Sequence, residues 1–385
     1  MNAEQTFTSA ASSSPAPSSA IANSKRRLET SCKGLNGYGP KGKASMAGLN
    51  LPRRTVMSSA SVGGPAPVSV VEPRTQAWLD SLAAAGGPPL YELSPQDARE
   101  VLRGAQASVP VELMPADIED RMIAGGPTGE VSIRIVKPKN VTGVLPVIVH
   151  THGGGWILGD KDTHDRLVRE LANAAQAAVV FVNYTPAPEA HYPVQNEQAY
   201  TALEWVAANG AEFGSDPTRI ALFGDSVGGN MAAALTLMAK ERGGPRIAAQ
   251  VLFYPVADAD FDTGSYQQYA EGPWLTRAAM KWFWDAYLPE KERRAEPTAS
   301  PLRASIDELR GLPPALVVTD GDVLRDEGEA YASKLSQAGV PVTQVRYGGT
   351  IHDFALLNPI TETPAPREAI RQAAEFLRRA LNSPP

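Results

Sequence analysis

Residues 219–240 read RIALFGDSVGGNMAAALTLMAK. The mostly apolar residues 219–223 predict a buried strand, and the alanine- and leucine-rich residues after Gly229 predict a helix. The glycines of the intervening G-D-S-V-G permit a sharp turn, because a Cβ there would collide with neighbouring backbone. Such a turn exposes the hydroxyl of Ser226 beside a helix N-terminus, which favours negative charge. We therefore predict that Ser226 is a catalytic nucleophile; the alternative is a serine that caps an ordinary strand–helix connection.

A second glycine-rich loop, H-G-G-G-W at residues 152–156, follows an apolar strand predicted at 145–150. Three consecutive glycines are entropically costly, so we interpret them as a site where backbone N–H groups approach a ligand oxygen. Loops of the H-G-G-G type form part of the oxyanion hole of lipases and esterases. The alternatives are a flexible surface loop and a phosphate-binding turn, but the G-K-S/T sequence of a P-loop does not follow.

An acid and a histidine are expected after the nucleophile, in that order. Of the five histidines only His352 follows Ser226, and it comes directly after the last predicted strand. His352 is therefore predicted as the base. Asp320, Asp322 and Asp326 follow the preceding strand, at the sheet edge where α/β active sites assemble. The residue pattern alone does not distinguish these three carboxylates.

Apolar strand patterns alternate with helical patterns along the chain, which predicts an α/β fold with a mostly parallel sheet flanked by helices on both faces. The predicted strands span residues 109–113, 131–136, 145–150, 178–183, 219–223, 250–254, 315–319 and 342–347. The predicted helices span residues 75–84, 94–105, 165–175, 195–208, 229–240 and 327–338.

Composition narrows the function classes. Hydrophobic residues make up 43% of the 385 residues and charged residues 20%, which is ample for a buried core. The net charge of −6 gives no reason to expect nucleic acid or an anionic membrane as a partner. The single cysteine, Cys32, excludes an intrachain disulfide and a cysteine-based metal site. Because no run of 18 apolar residues occurs, we expect no stable membrane insertion.

Residues 1–71 form a basic tail rich in Ser, Ala, Pro and Gly, which we predict to be disordered. The tail carries eight Lys or Arg and two Glu, a charge of +6 against −12 for the remainder. It is similar to an organelle transit peptide, and the Arg53-Arg54 pair hints at an export signal. The alternatives are a dispensable tail, or a translation start at Met46 or Met57, and we favour these interpretations. We expect a cytoplasmic protein, with targeting or export through the tail as the alternative.

Four sequence blocks occur in an order that resembles the hormone-sensitive-lipase-like family of α/β-hydrolase esterases. They are H-G-G-G-W at 152–156, Y-T-P-A-P-E at 184–189, G-D-S-V-G at 224–228, and D-V-L-R-D-E at 322–327 with His352 beyond. The resemblance covers roughly the whole chain after the tail. It implies an α/β-hydrolase fold whose helical cap is built from residues 72–106 and 257–300.

The resemblance also implies the roles of individual residues. Asp322 is the family's acid, and the oxyanion donors are the backbone N–H groups of Gly154, Gly155 and Val227. The implied activity is hydrolysis of short- to medium-chain acyl esters, without a cofactor or a metal. The expected partner is a small-molecule ester, and a homodimer is one option for the assembly.

The chain departs from the family pattern at three positions. Val227 stands where alanine is usual, Val323 replaces a proline in the acid loop, and Asp353 follows the histidine where glycine is common. We predict that the carboxylate of Asp353 raises the pKa of His352.

Aromatic residues cluster in the inserted segment, and we predict that Trp156, Trp282, Trp284 and Phe354 line a substrate pocket. Packing of the cap onto the core is the alternative for each. Tyr184 and Glu189 are expected to hold the loop architecture.

Three other functions remain as alternatives. An amidase or arylformamidase uses the same triad, and Trp156 after the glycines also occurs in formamidase-like relatives. A non-catalytic hormone receptor of this fold lacks the histidine, whereas His352 is present. A triglyceride lipase would need a large apolar lid.

Overall fold

The computed structural model describes residues 70–139 and 141–383. The predicted disorder of residues 1–71 lies almost wholly outside the described residues. Among the described residues, none of the helices has both the length and the apolar character that crossing a bilayer requires.

An eight-stranded sheet forms the centre of the described unit, in the order β1-β2-β4-β3-β5-β6-β7-β8. Strands β3 to β8 run parallel to one another, while β1 pairs with β2, and β2 with β4, in antiparallel fashion. The predicted mostly parallel sheet is confirmed. The strands are β1 Ala116–Ala124, β2 Glu130–Pro138, β3 Leu145–Thr151, β4 Ala178–Asn183, β5 Ser215–Asp225, β6 Gln250–Phe253, β7 Ala315–Thr319 and β8 Val342–Arg346.

Helices flank this sheet. Every residue of β3 is buried, as expected for a central strand covered on both faces. Helix α3 packs against α10, and α4 packs against α5. The helices are α1 Pro73–Ala85, α2 Pro95–Ala107, α3 Asp165–Ala175, α4 Val194–Asn209, α5 Val227–Arg242, α6 Gly264–Gln268, α7 Arg277–Tyr287, α8 Ile306–Leu309, α9 Arg325–Gln337 and α10 Pro364–Asn382.

The first predicted strand is wrong. Residues 109–113 have no regular structure, and the chain instead forms β1 at Ala116–Ala124. Pro110 cannot donate to a strand ladder, which disfavours the predicted position. Strand β1 is mostly exposed and rich in charge, so it lacks the apolar alternation that marks a half-buried strand. Its position at the sheet edge is fixed by pairing with β2, where Arg134 binds Asp120.

The topology brings the predicted site residues to one edge of the sheet. The loops after β3, β5, β7 and β8 all leave from the carboxyl ends of parallel strands. Two additional segments lie outside the sheet: α1 and α2 precede it, and residues 254–314 with α6, α7 and α8 are inserted between β6 and β7.

Candidate active site

Ser226 occupies a sharp turn between β5 and α5. Its backbone has φ 54° and ψ −121°, a region that side-chain-bearing residues rarely adopt. A Cβ on Gly224 would lie 2.1 Å from the carbonyl oxygen of Gly228, and one on Gly228 would lie 2.1 Å from that of Thr151. Glycine is therefore required at both positions. The Ser226 N–H donates to the carbonyl of Phe253, which fixes the turn against β6.

The structure brings Ser226, His352 and Asp322 into one hydrogen-bonded chain. Nε2 of His352 lies 2.9 Å from Oγ of Ser226, and Nδ1 lies 2.5 Å from Oδ2 of Asp322. The other oxygen of Asp322 accepts the Leu324 N–H at 2.9 Å. In this arrangement the imidazole is oriented to take a proton from the serine hydroxyl.

The choice among the three acids follows from side-chain direction. Only Asp322 among them bonds to His352. Asp326 accepts the Ser265 N–H at 2.7 Å and pairs with Arg325. Asp320 is fully buried and bonds to neither ring nitrogen.

The pKa of His352 is raised above its ordinary value of 6.5. Burial alone would lower it, but the charge of Asp353 and the hydrogen bond and charge of Asp322 outweigh burial. Oδ1 of Asp353 lies 3.5 Å from Nε2 of His352. The shift has the direction predicted from the sequence.

The glycine loop after β3 is held close to the nucleophile. Gly154 has φ 107° and Gly155 has φ 63°, both in the region that favours glycine. The carbonyl of Gly154 accepts the N–H groups of Ile157 and Leu158, which closes the turn. The backbone N–H groups of Gly154, Gly155 and Val227 donate to no other described residue. Unpaired N–H groups of this kind can bind a developing oxyanion.

A buried carboxylate beneath the nucleophile ties the two loops together, and sequence reasoning missed it. Asp225 accepts from Nε2 of His150 at 3.1 Å, from Nε2 of His164 at 3.3 Å, and from the Gly153 N–H at 3.2 Å. Burial opposes the ionised form, but both histidines hold the pKa of Asp225 well below its ordinary value. The available signal was the adjacency of Asp225 to Ser226, but the pattern could not identify its histidine partners.

Tyr184 and Glu189 support the surrounding loops, as expected. The Tyr184 hydroxyl donates to the carbonyl of His152 at 3.0 Å, and the two rings stack at 4.1 Å. Glu189 forms a salt bridge with Arg99 of α2 at 2.6 Å. Neither residue lines the cavity described next.

A cavity of about 100 Å³ opens at Ser226 and His352. Its walls are mostly apolar and come from both segments outside the sheet. The first segment contributes Leu90, Val101 and Leu102, and the insertion contributes Trp274, Leu275, Ala279, Met280 and Phe283. Gly154, Gly155, Leu158 and Asp353 complete the lining.

None of the four predicted pocket residues belongs to this lining. Trp156 is fully buried and stacks on Tyr287 at 3.9 Å, with Trp284 against its edge. Phe354 packs against Tyr254 inside the core. Trp282 lies beside Phe283 on a different face of α7. The pattern identified an aromatic helix, but only the packed structure shows which of its faces meets the cavity.

Within residues 70–139 and 141–383, the acidic and histidine side chains close enough to share a metal ion are Asp320, Asp322 and His352, whose ligand atoms lie within 4.8 Å of one another. Two of the three already bond to each other as acid and imidazole. The donor set therefore coincides with the hydrogen-bonded chain that leads to Ser226.

Known proteins share this architecture. Residues 148–356 match a family model described as the alpha/beta hydrolase fold. Carboxylesterase NlhH of Mycobacterium tuberculosis is 39% identical over 294 residues, which is 74% of this chain and 91% of that protein. The crystal structure of a thermostable esterase from Pseudomonas putida ECU1011 is 52% identical with a TM-score of 0.80, covering 83% of this chain and 100% of that one.

A fungal esterase from Rhizomucor miehei is also similar, at 40% identity and a TM-score of 0.77, over 82% of this chain and 98% of that chain. All three of these relatives are esterases. The chain therefore belongs to the hormone-sensitive-lipase-like family of α/β-hydrolases, and it is a carboxylic-ester hydrolase.

Proposed function

We propose that this esterase works through Ser226 as nucleophile, His352 as base and Asp322 as the acid that orients it. The observation that carries the proposal is the hydrogen-bonded chain from Ser226 through His352 to Asp322 at the floor of an apolar cavity. The three unpaired N–H groups of Gly154, Gly155 and Val227 would form the oxyanion hole.

The reaction follows from this geometry. Nε2 of His352 takes the proton of Ser226 as Oγ attacks the ester carbonyl carbon, and the N–H groups bind the oxygen that becomes negative. The imidazolium then protonates the departing alcohol, leaving an acyl group on Oγ. A water molecule gives a proton to His352 and attacks the acyl carbon. His352 then returns this proton to Oγ as the bond between Oγ and the acyl carbon breaks, which releases the carboxylic acid and restores Ser226.

The cavity size supports a short acyl group. Its volume is about 100 Å³, and the mostly apolar walls favour a short chain over a long one. A Cβ on Gly155 would fall 2.0 Å from the ring of Phe283, so this ring packs directly on the glycine loop. Phe283 therefore limits how far an acyl chain can extend, within the short- to medium-chain range implied by the family.

The same lining supports a cap built from residues 72–106 and 257–300, since both segments supply cavity walls. Helix α7 carries Ala279, Met280 and Phe283 on the face that meets the cavity. We propose that this cap selects the acyl group while the loops of the sheet perform the chemistry.

Initial rates on p-nitrophenyl esters from acetate to palmitate, compared with the matching p-nitroanilides, test this proposal. We expect hydrolysis to be fastest for short acyl chains and to fall for longer ones, because the cavity at Ser226 is small and walled by Phe283. Faster cleavage of anilides or of formylkynurenine would favour the amidase alternative. Activity that rises only above the solubility limit of the ester would favour an interfacial lipase.

Two finer predictions concern assembly and compartment. We propose a homodimer, because β8 is the last strand in the order of the described sheet and its residues are exposed or partly exposed, as on an edge that a second copy could pair with. Sedimentation equilibrium at micromolar concentration tests it, and a purely monomeric protein would contradict it.

We also propose a cytoplasmic location, which cell fractionation of the full-length chain would test.

A further inference from the structure

A second carboxyl group lies beside the acid of the triad and has no role in the mechanism above. Asp320 follows β7 directly and is fully buried. Neither of its carboxyl oxygens receives a hydrogen bond from a donor among the described residues. A buried ionised carboxylate without donors would be very costly, so its protonation state needs an explanation.

One carboxyl oxygen each of Asp320 and Asp322 and a ring nitrogen of His352 lie within 4.8 Å of one another. Two ionised carboxylates offer only acceptors, so two buried carboxyl groups this close together are favourable only if one of them carries a proton. Paired carboxyl groups in other enzymes share a single proton for this reason.

The surroundings decide which of the two is protonated. Asp322 accepts from Nδ1 of His352 and from the Leu324 N–H, and both contacts stabilise its ionised form. Asp320 has no comparable donor. The proton therefore belongs on Asp320.

We propose that Asp320 is a neutral carboxylic acid that donates its proton to Asp322 and so acts as a positioning residue for the triad. This inference rests on the proposed role of Asp322 as the triad acid. The added hydrogen bond holds the Asp322 carboxylate toward His352 and disperses part of its negative charge. With part of its charge dispersed, Asp322 still orients the imidazole of His352 but binds the imidazolium less tightly. The imidazolium can then pass its proton to the leaving alcohol without delay.

The titratable groups facing Asp320 support this assignment. They are Asp322 on its own loop, His352 and Asp353 on the loop after β8, and Tyr254 at the end of β6. Burial raises the pKa of Asp320 well above its ordinary value, and the charges of Asp322 and Asp353 raise it further.

The test compares pH profiles of kcat/KM for Asp320→Asn and Asp320→Ala with the parent enzyme. An asparagine is neutral and can still donate a hydrogen bond to Asp322. The acidic limb of the kcat/KM profile of Asp320→Asn should therefore coincide with that of the parent, and its kcat/KM should stay within about threefold of the parent value. Alanine removes the donor and leaves Asp322 more basic. Its acidic limb should move up by roughly 0.5–1 pH unit, as expected for the loss of one hydrogen bond to a carboxylate.

Asp353→Asn calibrates the experiment, because it removes a negative charge beside the same imidazole. If Asp320 is ionised, Asp320→Asn will move the acidic limb to lower pH, as Asp353→Asn does, and the proposal is wrong. If Asp320→Ala loses rate without moving its limb, Asp320 serves only packing, and the proposal is equally wrong.

Infrared spectroscopy gives a readout that does not depend on activity. The infrared difference spectrum of the parent minus Asp320→Asn at neutral pH should show the carbonyl band of one protonated carboxylic acid. Absence of that band from the difference spectrum of the folded proteins overturns the inference about Asp320 alone. Retention of full esterase activity by Asp322→Ala would instead overturn the proposed triad.

Discussion

The carboxylate of Asp353 lies against the catalytic face of His352, with Oδ1 of the carboxylate 3.5 Å from Nε2 of the ring. Its other oxygen accepts the indole N–H of Trp274 at 2.9 Å. Trp274 itself packs on Trp78 of α1, with 5.2 Å between the rings. The imidazole therefore lies between two carboxylates, Asp322 on one nitrogen and Asp353 beside the other.

This position predicts how activity depends on pH. His352 accepts a proton only when neutral, so kcat/KM falls as the pH drops through its pKa, which is raised above 6.5. Asp353→Asn removes a charge that raises this pKa, so the acidic limb should move down by about one pH unit. Initial rates between pH 5 and 9 measure the limb. An unmoved limb in Asp353→Asn would show that this carboxylate does not act on the base.

The glycine loop should tolerate no side chain at Gly154. A Cβ there would lie 2.5 Å from the carbonyl oxygen of Leu158 and force the loop away from the oxyanion. Gly154→Ala should lower kcat by roughly 10²–10³-fold, the usual cost of losing one oxyanion donor. Gly143→Ala is the matched control, because Gly143 has nearly the same positive φ but no atom within 4 Å of an added Cβ. Equal losses of kcat in Gly154→Ala and Gly143→Ala would show that backbone strain alone explains the effect.

Phe283 should set the acyl-chain limit. Phe283→Ala removes the ring that packs on Gly155, so the optimum should move toward longer p-nitrophenyl esters while the acetate rate falls. The truncation also costs stability, about 3–5 kcal/mol for a buried phenylalanine, so assays belong well below the unfolding temperature. Trp282→Ala changes the neighbouring residue outside the cavity lining and should leave the chain-length profile in place. A folded Phe283→Ala with an unchanged profile would refute the assignment.

Asp225 should stabilise the fold from beneath the site. Folding lowers the pKa of Asp225 below its ordinary value of 3.8. Its contribution to the free energy of unfolding is therefore fully present above pH 3.8 and is lost as the pH falls from there toward the lowered pKa. Asp225→Asn removes the negative charge and leaves one acceptor oxygen where His150 and His164 had two, so it should cost about 3 kcal/mol at pH 7. Urea unfolding at pH 7 measures this cost, with the exposed Asp307→Asn as control. A cost no larger than that of the control would contradict the role of the network.

The proposed nucleophile and base could be identified from the sequence because the sequence itself narrows the candidates. The turn at Ser226 needs glycines at fixed neighbours, and His352 alone follows it in the chain. Asp322 could not be separated from Asp320 in this way, since both follow one strand and differ only in side-chain direction. That direction is set by contacts with His352, which lies 30 residues further on.

The features missed from the sequence depend on tertiary packing. Strand β1 is too polar to show strand alternation and forms because β2 offers a free edge. Trp156 is predicted to line a pocket, and its ring stacks on Tyr287 of α7. In both cases the deciding neighbour is distant in the chain, so no local pattern reports it.

The most direct test of the account is hydrolysis of p-nitrophenyl butyrate by the parent enzyme and by Ser226→Ala. The substitution removes only one oxygen, and matching circular dichroism spectra would establish that the variant folds. We predict that kcat of Ser226→Ala is about 10⁴-fold or more below that of the parent. Where deacylation is the slow step, the parent should also release p-nitrophenol in an initial burst equal to the enzyme concentration. A folded Ser226→Ala variant that retains activity within tenfold of the parent would contradict the claim that Ser226 forms the acyl-enzyme.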